Sequence, residues 1–230
     1  MLYLHETVDI RGDGATAYMQ AVLERARHSE EAGISRLVGT WRVIGSTHRW
    51  PRVVNLWEMD GWGHWSQSLE RQFHPRQRDH HLSAWWTAMV RYRRGGFDRI
   101  LEPAPFCPSR SRLAAKGIKG WVTEQQIYRI PWSILPEFFA EVESSLLPAM
   151  ESYGISLVGA YASPMRPGEA LLLWSASDFA TLCHQWEERN SSPSWRAWCA
   201  RLEQLRVRWV VSWLVPFSGT LLSPEVGADG

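Results

Sequence analysis

Three polar side chains, Tyr3, His5 and Thr7, recur at every second position of the apolar segment LYLHETVDI near the start of the chain. Successive side chains of a β-strand point to opposite faces, so these three share one face and the leucines share the other. Histidine titrates near neutral pH, which suits general acid or base catalysis in a cavity. We predict His5 as the catalytic acid or base and Tyr3 as a polar positioning residue. The alternative is a hydrogen-bonded structural histidine at the rim of the fold.

Two further segments, RLVGTWRVIG and RVVNLWEMD, read as neighbouring strands and supply more candidates. We assign Asn55 to the catalytic set, because an amide in an apolar strand can orient a carbonyl or hydroxyl group. Arg42 is predicted to bind the ligand, and Trp41 and Trp57 are predicted to wall the cavity. The alternative for Asn55 is a satisfied polar residue at a strand end.

Short segments of the first half recur in the same order in the second half, which predicts a tandem duplication. The recurring pairs are RLVGTW and SLVGAY, VVNLWEMDGW and ALLLWSASDF, SAWW and RAWC, and ILEP and WLVP. By this alignment Gln125, Tyr161 and Trp174 are the counterparts of His5, Trp41 and Trp57, and we add them to the predicted ligand-binding residues. Glutamine cannot transfer protons, so acid–base chemistry is predicted in the first half only.

Each copy has the predicted element order β-α-β-β-α-α-β. One helix is expected to end at Gly33, and another, over about 79–94, at Gly95–Gly96. The predicted fold class is α+β: two tandem ferredoxin-like βαββαβ units whose antiparallel sheets form a pseudo-dimeric α+β barrel. The predicted organisation is a first domain over 1–103, a linker over 104–119, a second domain over 120–219 and a flexible tail over 220–230.

The order of strand, amphipathic helix, LVGTW, a Gly/Pro-containing hairpin and VVNLWEMD resembles the NIPSNAP family of the dimeric α+β barrel superfamily. The resemblance covers about 2–103 and, through LVGAY and LLLW, about 121–217. The family often has a histidine before its Leu-Trp pair, whereas this chain has Asn55 there and Leu172 in the second copy. The resemblance implies relatives that include cofactor-free monooxygenases, polyketide cyclases, isomerases and haem-binding enzymes.

Composition and motifs exclude several function classes. The chain has 25 basic and 24 acidic residues, so no strong field attracts nucleic acid or an anionic membrane. The sequence has three cysteines without paired spacing, no apolar run long enough for a membrane span and no pattern of a signal peptide. These features favour a cytoplasmic protein. His74, His80 and His81 read as a solvated helix start, so no metal site and no cofactor is predicted.

The function predicted from these residues is that of a small-molecule enzyme holding a hydrophobic, aromatic or polycyclic substrate inside the barrel. The expected chemistry is isomerisation, cyclisation or cofactor-independent oxygenation, with proton transfer by a cavity histidine. One alternative is a non-catalytic ligand-binding or interaction protein, and a further alternative is a haem-binding protein. The expected partner is a small hydrophobic molecule, and the chain is expected to be a monomer with an internal pseudo-two-fold axis or a homodimer.

Overall fold

The computed structural model describes residues 1–225, in which eight antiparallel strands close into one barrel. The strands are β1 (Leu2–Ile10), β2 (Arg36–Val43), β3 (Arg52–Met59), β4 (Arg93–Pro103), β5 (Val122–Arg129), β6 (Ser156–Ala162), β7 (Glu169–Ala176) and β8 (Arg208–Pro216). Their order around the barrel is β1-β3-β2-β8-β5-β7-β6-β4. The predicted α+β barrel of two ferredoxin-like units is thus confirmed.

Helices cover the outside of each half of the barrel. They are α1 (Ala15–Glu31), α2 (Trp62–Phe73), α3 (His80–Met89), α4 (Arg110–Ala115), α5 (Leu135–Glu141), α6 (Leu147–Glu151), α7 (Phe179–Glu188) and α8 (Pro193–Gln204). A 3-10 turn, Trp132–Ile134, precedes α5, and a π turn, Val142–Leu146, joins α5 to α6. Gly95 and Gly96, expected at the end of α3, lie inside β4 instead. A Cβ on Gly96 would lie 2.1 Å from the carbonyl oxygen of Thr7, so the close approach of β1 requires glycine there.

The two halves pair their strands in the same way. In the first half β3 pairs with both β1 and β2, and in the second half β7 pairs with both β5 and β6. The register shifts between Leu37 and Gly39 in one half and between Leu157 and Gly159 in the other. The halves join where β2 pairs with β8 and where β4 pairs with β6. The tandem duplication itself stays a prediction.

One end of the barrel interior is filled by side chains. The apolar cluster there contains Tyr3, Val38, Trp41, Leu56, Leu101, Val158, Tyr161, Leu171, Leu173 and Leu214. The segment predicted as a linker contributes α4, whose Leu113 joins this cluster. Leu222, from the segment predicted as a flexible tail, is fully buried in the same cluster. Residues 226–230 of that tail lie outside the described residues. The barrel is therefore filled at this end.

Candidate functional site

A row of four polar side chains crosses the middle of the barrel. His5 Nε2 lies 2.8 Å from Gln125 Oε1, so the counterparts from the two halves meet across the pseudo-two-fold axis. Gln125 Nε2 donates to Ser212 Oγ at 3.1 Å, and Arg99 Nη1 lies 3.5 Å from His5 Nδ1. Because a guanidinium can only donate, His5 Nδ1 accepts and Nε2 carries the hydrogen that binds Gln125.

This arrangement removes His5 from acid–base chemistry near neutral pH. The side chain is fully buried, and burial together with the Arg99 charge lowers its pKa to about 3. The imidazole is therefore neutral at pH 7, and both of its nitrogens already have partners. The rival interpretation given above, a hydrogen-bonded structural histidine, describes its surroundings better, although it lies mid-barrel and not at the rim.

Three other predicted site residues belong to the filled end of the barrel. Tyr3 Oη donates to Glu58 Oε2 at 2.7 Å, and its ring packs against Tyr161 with centroids 4.8 Å apart. Trp41 Nε1 donates to Thr123 Oγ1 at 3.0 Å. Burial raises the pKa of both tyrosines far above the ordinary value, so neither is a proton donor near neutrality. These residues fill the barrel and do not wall an empty cavity.

The remaining predicted residues lie on the outer face of the barrel, toward the helices. Asn55 and Trp57 face α1, and Trp174 joins the helix-side cluster of the second half. Arg42 is exposed and donates to Thr16 Oγ1 at 2.6 Å. Thus Asn55, Trp57, Trp174 and Arg42 do not share an interior cavity with His5, because they occupy the opposite strand face.

A cavity of about 310 Å³ lies on that outer face in the first half, between the sheet and helices α1 and α2. Half of its lining residues are apolar: Leu4, Ile34, Trp57, Met59, Trp65, Leu69, Phe73, Ile100 and Met165. The polar residues in its lining include Glu6, Arg25 and Asp98. Its size lies at the lower end of the range of about 300–1,000 Å³ that is usual for a small-molecule pocket. We call it the sheet–helix cavity.

Glu6 is held in the sheet–helix cavity by two donors on the adjacent strand. Its Oε2 accepts from Trp57 Nε1 at 2.7 Å and from Asn55 Nδ2 at 3.0 Å. Asn55 is itself fixed, because its Oδ1 accepts from Thr40 Oγ1 at 2.6 Å. Glu6 Oε1 accepts no hydrogen bond within residues 1–225, which leaves this oxygen available to a ligand. Asn55 therefore positions a carboxylate.

Asp98 lies directly across from Glu6 in the pairing of β1 with β4, so both carboxyl groups are on the outer face. Partial desolvation and repulsion by Glu6 raise the pKa of Asp98 to about 6. The Asp98 side chain is exposed at the mouth of the cavity, where a proton can exchange with water. Asp98 can therefore both give and take a proton near neutral pH, as a general acid or base must.

Arg25 of α1 is a cation that lines the cavity and interacts with the Glu6 charge. Its guanidinium lies 4.6 Å from the ring centroid of Trp85 and 5.6 Å from that of Trp57. Burial lowers its pKa, and the Glu6 charge opposes that effect. Such stacking on aromatic faces fixes a guanidinium without using its N–H donors. Arg25 makes no salt bridge or side-chain hydrogen bond in the described part of the chain, so it can bind a polar substrate group.

The equivalent space in the second half is filled. Tyr128, Phe138, Trp174, Trp195, Trp198, Trp209 and Trp213 pack there. The buried carboxylate of that half, Glu124, accepts from Trp186 Nε1, Trp213 Nε1 and Gln126 Nε2 at 2.5–2.9 Å. The two halves therefore differ between sheet and helices: the first half has a cavity there, and the second half is filled by aromatic side chains.

Sequence reasoning missed Glu6, Arg25 and Asp98 as site residues. The sequence did contain one indication of Glu6, because it shares a strand face with the apolar residues Leu4 and Val8. A carboxylate on the helix-facing side of a strand requires a partner or a function. Its pairing with Asp98, which is far away in the chain, could be known only from the register of β1 and β4.

The donor set of the sheet–helix cavity does not fit a haem. Haem iron is bound by histidine, cysteine, tyrosine or methionine, and of these the residues lining the cavity supply Met59 and Met165 alone. An adjoining cavity along α1 has His28 and His81, but both side chains are exposed at the surface. In residues 1–225 no group of three or more histidine, cysteine or acidic residues is placed to hold a metal ion.

Solved structures show what this fold is similar to. A Lactobacillus acidophilus protein provisionally assigned as a monooxygenase aligns with a TM-score of 0.63 and 11% identity, covering 94% of this chain and 93% of that one. A haem-binding protein from Thermus thermophilus aligns with a TM-score of 0.53 and 13% identity, covering 94% of this chain and 91% of that one. These likenesses show the fold alone.

A NIPSNAP domain protein from Burkholderia xenovorans aligns over 47% of this chain and 100% of its own, with 23% identity and a TM-score of 0.37. A score that low carries no argument, so membership of the NIPSNAP family stays a prediction. No protein-family profile and no curated protein matches the sequence. The helices within residues 1–225 include none with the length and apolar character needed to cross a membrane.

Proposed function

We propose that the protein is a small-molecule enzyme that transfers protons on an apolar carbonyl-containing substrate in the sheet–helix cavity. The observation that carries the proposal is the Glu6–Asp98 pair, with the Asp98 pKa raised to about 6 beside apolar walls. A carboxyl group with a perturbed pKa in a cleft is typical of an acid–base catalyst. The filled space of the second half supports a single site in the first half.

In this proposal each polar residue has a separate role. Asp98 removes a proton from a carbon next to the carbonyl and returns it elsewhere, which is the step common to isomerases and some cyclases. Arg25 stabilises the negative charge that develops on the substrate oxygen. The charge of Glu6 adds to desolvation in keeping the Asp98 pKa high. The rings of Trp57, Trp65 and Phe73 exclude water around the substrate.

The test uses 2-tetralone, a neutral bicyclic ketone, as the probe. Proton NMR in D₂O would follow exchange of its acidic C–H hydrogens. We expect the wild-type protein to accelerate exchange and Asp98→Asn to lose at least about tenfold of that acceleration. Glu102→Gln changes a carboxylate on the same strand that binds Trp62, so it should retain the acceleration.

A binding readout accompanies the exchange measurement. The Trp57 indole N–H binds Glu6 and should change its NMR chemical shift when the ketone enters. His5→Gln should leave exchange intact, because His5 is on the other face of the sheet. If neither exchange nor the Trp57 signal responds to saturating ketone, proton transfer on this substrate class is wrong.

Haem binding remains the second candidate, suggested by the Thermus thermophilus neighbour. The donor set argues against it, and a titration with haemin decides it. We expect no Soret band beyond that of free haemin. A shifted band lost in His28→Ala or His81→Ala would support haem in the adjoining cavity and contradict our proposal. The cytoplasmic location also stays a prediction.

A further inference from the structure

The open end of the barrel forms a separate cavity, on the opposite face of the sheet from the proposed proton-transfer site. Its volume is about 260 Å³, and its inner wall includes Thr7, Arg99, Gln125 and Ser212. The inward-facing side chains at the opposite end of the interior are packed together, so a ligand can enter from this end only. We call this space the barrel mouth.

The polar side chains at the inner end of the barrel mouth have hydrogen-bond donors left over. Starting from Arg99, each member donates to the next: Arg99 to His5, His5 to Gln125 and Gln125 to Ser212. Ser212 accepts in this row, and its own O–H has no acceptor among the described residues. The second N–H of Gln125 is also left over. Ser212 and Gln125 are about 95% buried but line the barrel mouth, so an acceptor on a ligand can take the place of water at these donors.

Cations exceed carboxylates around the same opening. Arg52, Arg99, Arg129 and Arg208 line the barrel mouth. Asp9 pairs with Arg52 and with Arg49, and Glu169 pairs with Arg99 and Arg129. The Arg208 side chain forms no salt bridge and no hydrogen bond with the described residues. Two carboxylates thus stand against the four arginines that line the barrel mouth, and the positive excess inside a concave wall favours an anion.

The rest of the barrel mouth is apolar. Val43, Val54 and Ile127 lie along the wall, and Phe97 and Trp209 also line it. A free inorganic anion would leave this surface uncovered, whereas a small carboxylic acid with an aromatic or branched body would cover it. The guanidinium fork and the planar carboxylate match in geometry.

We propose that the barrel mouth binds a small monocarboxylate, with the carboxylate on Ser212, Gln125 and Arg99 and its apolar body against Val54, Ile127 and Phe97. The site uses the inner strand faces and the open end, and it does not rest on the proposed proton-transfer function. The two sites can therefore fail or succeed separately.

The experiment measures benzoate binding by isothermal titration calorimetry, with benzamide as the neutral analogue of the same shape. We expect benzoate to bind and benzamide to bind at least about tenfold more weakly. Ser212→Ala should weaken benzoate about tenfold. Ser175→Ala alters another buried serine, outside the barrel mouth, and should leave the affinity unchanged.

A second pair of variants tests the charge at the rim without touching the core. Arg208→Gln should weaken benzoate measurably, and Arg196→Gln, which removes one exposed charge from α8, should not. Equal affinities for benzoate and benzamide would overturn the proposal. So would unchanged benzoate affinity in Ser212→Ala, or an absence of benzoate binding at about 10 mM, where even a weak site of this kind would be occupied.

Discussion

His5 and Gln125 occupy equivalent positions in the first strands of the two halves, and their side chains meet at 2.8 Å in the middle of the barrel. A residue on a pseudo-two-fold axis contacts its own counterpart, so the hydrogen bond joins the halves. Gln125 matches His5 in this contact, because its carbonyl oxygen accepts from His5 Nε2 while its amide group donates to Ser212 Oγ. The His–Gln difference therefore suits the contact itself and requires no catalytic role.

Replacing His5 should change the pH dependence of stability. Its pKa is about 3 when folded and about 6.5 when unfolded, so the unfolded state binds more protons below neutral pH. The contribution of His5 to the free energy of unfolding is fully present above about pH 6.5 and is lost as the pH falls toward 3. Between pH 7 and pH 5 the wild-type protein should lose about 2 kcal/mol more unfolding free energy than His5→Gln.

Urea denaturation at the two pH values measures this difference. His80→Gln, which removes an exposed histidine, serves as the control and should follow the wild-type protein. Parallel losses in His5→Gln and the wild-type protein would show that His5 is not held neutral by the fold.

The raised pKa of Asp98 should depend on Glu6. Desolvation is the larger cause and repulsion by Glu6 the second, so Glu6→Gln should lower the pKa from about 6 only part of the way to the ordinary value. Carbon-13 NMR titration of the side-chain carboxyl group gives the pKa directly. Glu102→Gln should leave the Asp98 pKa unchanged. If Glu6→Gln also left the Asp98 pKa at its wild-type value, the two carboxyl groups would not interact.

The pH dependence of stability has the opposite sign for Asp98. Its folded pKa lies above the unfolded one, so the folded state binds the proton more tightly. Its stabilising contribution is present at low pH and is lost as the pH rises through about 6. We therefore compare the unfolding free energy of Asp98→Asn with that of the wild-type protein by urea denaturation. The difference should favour the variant more at pH 8 than at pH 5. An equal effect at both values would contradict the raised pKa.

Gly159 should tolerate no side chain. A Cβ there would lie 2.2 Å from Tyr161 Oη, and the tyrosine ring is fully buried and cannot move aside. Gly159→Ala should lower the free energy of unfolding by about 1–3 kcal/mol. Gly63 lies in open space on α2, so Gly63→Ala should leave the free energy of unfolding unchanged or raise it by up to about 1 kcal/mol. Thermal unfolding compares the two, and equal effects would contradict the close packing.

Leu222 should matter for stability although it follows the last strand. It is fully buried against the cluster at the filled end of the barrel. Leu222→Ala should cost about 2–5 kcal/mol of unfolding free energy, because a cavity is left in that cluster. Val90→Ala, at a position that is 60% exposed, should change it by no more than about 0.5 kcal/mol. A neutral Leu222→Ala would show that this segment does not close the barrel.

The sequence alone determined the elements and the inward face of β1. Alternating apolar residues predicted the strands, and helical spacing predicted the helix that ends near Gly33, because both periodicities are local. The alternation also grouped Tyr3, His5 and Thr7 on one face, and the structure places all three inside the barrel.

Only the tertiary structure decided which spaces are empty and which carboxyl groups interact. Whether an interior is filled depends on side chains from all eight strands and from segments such as α4 and Leu222, which no local pattern reveals. The Glu6–Asp98 pair exists because the β1–β4 register joins residues far apart in the chain. The pKa of His5 likewise depends on burial and on Arg99, which the closed barrel brings together.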